Sequence, residues 1–241
     1  MPLLELQNVT KAFGAVVVAD ELSYSLAEGE ALGVIGPNGA GKTSMFNLIT
    51  GTFAPNSGSL HFCGKPITTL SAADRCRAGI ARSFQIPQPF SGMTVFENLM
   101  VAATHGARDS ISKANRHCLE VLEKTGLIDR ANAPAGSLTL LGRKRLELAR
   151  ALCARPKLLL LDEIAGGLTE HECRELVDTI NDVRKEGVSI IWIEHIVHAL
   201  LSVVDRLIVI DFGRKIADGD PAETMALQEV REIYMGVDAD G

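Results

Sequence analysis

Residues 36–44 read GPNGAGKTS, and Gly36, Gly41, Lys42 and Thr43 fit the spacing G-x-x-x-x-G-K-[ST]. Residues of these types at this spacing suit a polyanion. Glycines let successive backbone N–H groups turn inward as a concave nest, and a helix starting near Lys42 aims its positive dipole end at the same point. Lys42 is placed to reach β- and γ-phosphates. Thr43 is placed to put its hydroxyl on Mg²⁺, a hard cation that takes oxygen ligands and keeps most of its waters. Gly36, Pro37, Asn38, Gly39, Ala40, Gly41, Lys42, Thr43 and Ser44 are therefore the candidate phosphate-binding residues.

A second candidate group is the run LLLLDE at residues 158–163, an apolar strand ending in two adjacent carboxylates. Ligands collect at the carboxyl ends of such strands. Beside a phosphate loop, Asp162 would hold Mg²⁺ directly or through water, and Glu163 would orient and polarise an attacking water. Two charges merely capping a buried strand would give the same local pattern. His195 follows a third apolar strand and Glu194, where a histidine can donate to a γ-phosphate. Phe13, one of few aromatics, precedes the phosphate loop; it can stack on an adenine base or cap the core of its own layer.

Local patterns supply the elements that must hold these groups. Residues 30–35 (EALGVI) form an apolar run of buried-strand type, and residues 45–49 carry apolar positions at helical spacing up to Gly51. Strand, glycine loop and helix thus come in the order the motif requires. Leu4 and Leu6, then Leu22, Tyr24 and Leu26, alternate around turn signals at Gly14 and Gly29, which predicts a small antiparallel layer. Residues 59–63 read as a further strand and 71–79 as a short capped helix. Gln85 follows a strand-like run at 80–84 and opens a stretch containing Pro87, Pro89 and Gly92, expected to be flexible. Thr94 and Glu97 predict a capping box for a helix to about residue 103, and residues 110–125 a helix stopped by Gly126. From residue 155 strands and helices alternate, with a Thr169/Glu172 capping box over 170–186, implying a parallel sheet covered by helices. Pro221 opens what reads as the last helix, and residues 237–241 are expected to fray. The expected organisation is α/β: a nucleotide-binding core in residues 1–86 with an antiparallel layer, a helical lobe in 87–152, and the rest of the core in 153–241.

Composition narrows the setting. With 241 residues and 46% hydrophobic content the chain can bury a full core. Its apolar runs are far shorter than the ~20 residues a membrane-spanning helix needs, and the start MPLLELQNV lacks the pattern of an export signal, so the cytoplasm is expected. Cys63, Cys76, Cys118, Cys153 and Cys173 are widely spaced and read as small buried hydrophobes in a reducing compartment. A formal charge of −6 argues against non-specific nucleic-acid binding, and the basic cluster Arg143, Lys144 and Arg145 reads as a solvated helix face.

The phosphate loop, Gln85 in its proline-rich stretch, the helical lobe, LLLLDE and a strand-terminal His195 occur in the order found in ATP-binding cassette ATPases, which the chain resembles over about residues 3–225. Within that family, GIARSFQ at 79–85, GMTVFENLMVA at 92–102 and WIEH at 192–195 resemble the ATPase subunits of branched-chain amino acid importers. Urea and short-chain amide importers share much of this pattern. The resemblance implies a P-loop core with parallel sheet, ATP and Mg²⁺ as ligands, and these roles: Phe13 stacks on adenine, residues 36–44 form the Walker A loop, Gln85 is the Q-loop glutamine that lies between Mg²⁺ and the helical lobe and transmits the presence of the γ-phosphate, Asp162 the Walker B aspartate, Glu163 the catalytic base and His195 the switch histidine. It also implies head-to-tail pairing with a second cassette ATPase subunit and docking on integral membrane permease subunits, at the inner face of the cell membrane.

One stretch departs from the family. Counting back from LELARAL at 146–152, the signature LSGGQ should fall at residues 138–142, which read LTLLG. Thr139 can replace the signature serine hydroxyl, contacting a nucleotide across the pair. Leu141, however, stands where glycine normally lets a backbone N–H approach the partner's γ-phosphate, and Thr169 replaces the usual Asp or Asn nearby. A transport ATPase coupled to a separate permease is one reading; a cassette protein that remodels a protein or nucleic-acid complex is the other, although no second cassette or long coiled insertion is present.

Overall fold

The computed structural model describes residues 1–238. In chain order it contains β1 (Leu4–Phe13), β2 (Val16–Leu26), β3 (Ala31–Ile35), α1 (Lys42–Thr50), β4 (Ser57–Phe62) and a short β5 (Lys65–Pro66). Then come α2 (Ala72–Ala78), β6 (Ile80–Arg82), α3 (Val95–Val101), a π-helical turn at Ala102–Gly106, α4 (Ile111–Lys124) and α5 (Leu140–Cys153). The remainder is β7 (Leu158–Asp162), α6 (Glu170–Lys185), β8 (Ser189–Ile193), α7 (Val197–Leu201), β9 (Arg206–Asp211), β10 (Arg214–Gly219), α8 (Pro221–Ala226) and α9 (Gln228–Asp238). These elements form two compact units, residues 1–72 with the described residues from 189 onward, and residues 73–188.

In the first unit, β2-β1-β4-β5 form an antiparallel layer with Leu4 opposite Leu26 and Leu6 opposite Tyr24. Alternation turns Leu4, Leu6, Leu22 and Leu26 to one buried face. The other sheet portion here runs β10-β9-β3-β8, with β3 parallel to both β8 and β9. Every residue of β3 and β8 is buried, as expected of parallel strands covered on both faces. Hydrogen bonds pair β10 antiparallel to β9, although its sequence RKIADG carries no strand pattern.

In the second unit β6 and β7 pair in parallel. Helices α3, α4 and α5 bury Leu99, Ala114, Cys118, Leu122, Leu146, Ala149 and Cys153 against one another. The α3 N-terminus is closed by Thr94 and Glu97 and that of α6 by Thr169 and Glu172, both as full capping boxes. Each box links residues three apart, so it is specified locally.

Four expectations need correcting. The helix after Thr94 leaves α geometry at Val101 rather than running to residue 103. The Pro221 helix, capped by Asp220, is followed by α9, so it is not the last. Of the end expected to fray at residues 237–241, residues 237 and 238 lie in α9 and residues 239–241 lie outside the described residues. Cys63 is exposed in a turn at φ 50°, and Cys76 is half-buried, leaving Cys118, Cys153 and Cys173 as the buried thiols.

Candidate functional site

The phosphate loop joins the carboxyl end of β3 to the start of α1. Positive φ at Gly36 (155°), Gly39 (83°) and Gly41 (102°) turns the backbone where side chains are disfavoured. Close packing adds a second requirement. A Cβ at Gly36 would lie 2.0 Å from the Ile210 carbonyl oxygen, and one at Gly41 would lie 2.4 Å from that of Val18. Gly213 N–H donates to the Ala40 carbonyl at 2.8 Å, anchoring the loop to the β9–β10 turn. Asn38 and Gly39 at the loop's crown are exposed, while Gly36 and Ala40 are buried and Pro37, Gly41 and Ser44 lie between.

Lys42 is 6% exposed, and its Nζ donates to the carbonyls of Gly36 (2.7 Å) and Pro37 (2.9 Å). The ammonium is thus folded under the loop's own curve, and Thr43 next to it is exposed at the first turn of α1. Gly41 stands at the N-cap of that helix and makes no side-chain cap hydrogen bond, and the helix N-terminus carries positive dipole character. One buried cation, a glycine nest and a helix terminus together fit a polyphosphate.

Two other predicted residues sit in this unit. His195 is exposed just beyond β8, and the buried Glu194 carboxylate accepts from the backbone N–H groups of His195 (2.9 Å) and Ile196 (3.3 Å), which shapes the turn that presents it. Phe13 is 50% exposed and therefore does not cap the core of the antiparallel layer. Its ring meets Phe53 edge-on, with centroids 5.1 Å apart, and Lys11 Nζ stands 4.8 Å from the Phe13 centroid. Phe53 and Lys11 were not singled out from sequence; they become visible only once β1 lies beside the loop after α1.

In the second unit, the carboxylates, Gln85 and the signature region converge. Asp162 ends β7 and is 3% exposed; its Oδ2 accepts from Arg82 at 2.6 Å across the β6–β7 pair. Gln85 Nε2 donates to Glu163 Oε2. Glu163 itself holds φ 46°, a left-handed conformation uncommon for a residue with a side chain. Its carbonyl accepts from Lys144 Nζ (3.1 Å) and from Gly166 N–H (3.4 Å).

The basic cluster is a solvated face only at Arg143, which is exposed. Lys144 is 4% exposed, Arg145 pairs with Glu175 at 2.7 Å, and Arg143 donates to the carbonyls of Leu138 (3.1 Å) and Gly136 (3.0 Å). Thr139 is exposed and caps α5, its Oγ1 accepting from Gly142 N–H at 3.3 Å. Leu140 is exposed and Leu141 half-buried in the first turn of that helix. Sequence reasoning missed Arg82, Lys144 and Glu147. A trace of the last two was present, because Lys144, Glu147 and Arg150 recur at three-residue intervals along one helix.

Comparison with known proteins places this geometry in a family. The model described as "ABC transporter" matches residues 19–166. The high-affinity branched-chain amino acid transport ATP-binding protein BraF of Pseudomonas aeruginosa is 34% identical, with 98% of each chain covered. The corresponding LivG protein of Salmonella typhimurium is also 34% identical over 98% of both chains. Among solved structures, a nucleotide-free ATP-binding cassette from an ABC transporter superposes with a TM-score of 0.88 at 28% identity, covering 97% of this chain and 99% of that one. Another cassette, in its ADP conformation, also reaches 0.88, at 30% identity over 98% and 99%.

Proposed function

The chain belongs to the ABC transporter family as a nucleotide-binding ATPase subunit, and from that premise we propose that it powers import of branched-chain amino acids or a related small polar solute through separate permease subunits. The observation that carries this reading furthest is the hydrogen bond from Gln85 to Glu163, which joins the proposed γ-phosphate sensor to the proposed base. Residues 36–44 bind the phosphates of ATP, with Lys42 leaving its carbonyl partners to meet the β- and γ-oxygens. Phe13 supplies a half-exposed ring for adenine, and His195 donates to the terminal phosphate. Mg²⁺ suits the oxygen donors of Thr43, Gln85 and Asp162, because such a cation takes one or two protein oxygens and fills its shell with phosphate and water. Bound, it neutralises charge developing on the phosphates. Glu163 orients and polarises the attacking water.

No helix among the described residues is long and apolar enough to cross a membrane. By likeness to its transport relatives, the chain is assigned to the inner face of the cell membrane, attached through a permease partner. Exposed Phe84, Ile86 and Phe90 around Gln85 support contact between this loop and a permease. Leu141 in the first turn of α5 supports pairing with a second, different cassette subunit whose own signature completes one full site. Calorimetry tests the core of the proposal: Lys42→Ala should lose measurable Mg-ATP binding while keeping the parental circular dichroism. Unchanged affinity would remove this loop from the site.

A further inference from the structure

Helix α5 carries a buried polar stripe that grips both the Gln85 loop and the Glu163 turn. Lys144 Nζ donates to the carbonyls of Gln85 (3.4 Å) and Glu163 (3.1 Å). One turn on, Glu147 accepts from Gln88 N–H at 3.0 Å, and Arg150 donates to the Gln88 carbonyl at 3.0 Å. Arg150 also bonds Glu147 at 2.8 Å. Burying an ammonium is costly unless it is well satisfied, so placing Lys144 at 4% exposure against two main-chain oxygens is a specific arrangement.

Those two oxygens belong to the residues that the proposed function assigns as sensor and base. Glu163 holds a left-handed backbone, a state that is strained for a residue with a side chain and persists only where surrounding contacts enforce it. Its carbonyl is the atom that Lys144 and Gly166 N–H hold. Reversing that φ would swing the carboxylate off Gln85. Lys144 also lies five residues past Thr139, about 7.5 Å along the axis of a helix with a rise of ~1.5 Å per residue. Any displacement of the signature end of α5 therefore moves the anchor of both Glu163 and Gln85.

We propose that Lys144 is a positioning residue: it locks the left-handed turn at Glu163 and the Gln85 carbonyl together, and links them rigidly to the signature end of α5. This rests on Glu163 being the base, so the test separates the two claims. Hydrogen exchange of the nucleotide-free protein, read by mass spectrometry, needs no activity. Lys144→Met should speed exchange in the peptides covering 83–88 and 163–167 and leave α1 and β3 protected as in the parent. Lys144→Arg, which keeps donors at this place, should restore protection. In ATP hydrolysis, Lys144→Met should lower kcat about 10–100-fold, the scale of a catalytic group displaced by about 1 Å, with KM for ATP near parental. It should cause no further loss in a Glu163→Gln background, since groups acting as one unit are not additive. Parental exchange in both peptides overturns the proposal, as does equal loosening throughout the chain that Arg fails to rescue. If instead Glu163→Gln hydrolyses ATP at the parental rate, the base assignment falls, and the exchange result alone decides whether Lys144 fixes the turn.

Discussion

Removing Arg82 should strongly destabilise this protein. Arg82 ends β6, Asp162 ends β7, and their contact is 2.6 Å with side chains only 7% and 4% exposed. Breaking a buried pair from one side leaves the other charge poorly compensated, which costs about 3–5 kcal/mol. The Arg82 guanidinium also lies 5.0 Å from the Phe84 ring centroid, a contact worth roughly 0.5–1 kcal/mol. Against a total stability of about 5–15 kcal/mol this is a large fraction. At about 2–4 °C per kcal/mol for a chain of this size, Arg82→Met should lower Tm by ~6–20 °C. The assay is a double-mutant cycle by urea unfolding and circular dichroism with Arg82→Met, Asp162→Asn and both together. The double variant should be no less stable than Arg82→Met alone, because the stranded carboxylate has gone. Additive losses, or a cost below about 1 kcal/mol for Arg82→Met, would show that the pair is not the buried, mutually dependent contact described.

Two more outcomes can be checked. Burial raises the Glu147 pKa, partly opposed by the charge of Arg150 and by hydrogen bonds from Gln88 N–H and Arg150; the folded chain thus binds this proton more tightly than the unfolded one, and stability falls as pH rises above 4.5. Glu147→Gln should therefore gain stability relative to the parent as pH rises above 4.5, and a pH-independent difference in urea unfolding would refute the sign. If Leu141 spoils the site formed by two copies of this chain, the protein alone should hydrolyse ATP slowly, and Leu141→Gly should raise that rate about tenfold or more, the scale of one restored backbone donor. A high rate that Leu141→Gly leaves unchanged would eliminate the argument for an unlike partner.

The features legible from residue order are those closed within a few positions. The 36–44 loop, its preceding apolar strand and its following helix were legible because a nest needs glycines at fixed offsets and the phosphates it holds need a cation next to them. Both capping boxes were legible for the same reason, since Thr94 with Glu97 and Thr169 with Glu172 satisfy each other across one turn. The carboxylates at 162 and 163 were marked by the apolar run before them. The family resemblance then supplied roles to residues already noticed. What stayed hidden involved partners far apart in the chain or a choice of face. Lys144 reads as surface because lysine usually is; it is buried because main-chain oxygens from residues 85 and 163 arrive around it. Arg82 meets Asp162 across 80 positions because two strands pair in parallel with Arg82 opposite Leu160. Phe13 could have faced either way, and the packing of Phe53 against it settled that it stays half in solvent. Strand β10 exists by hydrogen bonding to β9 without an apolar pattern of its own. The left-handed turn at Glu163 has no sequence mark either, since its strain is tolerated only when the assembled surroundings hold the carbonyl in place.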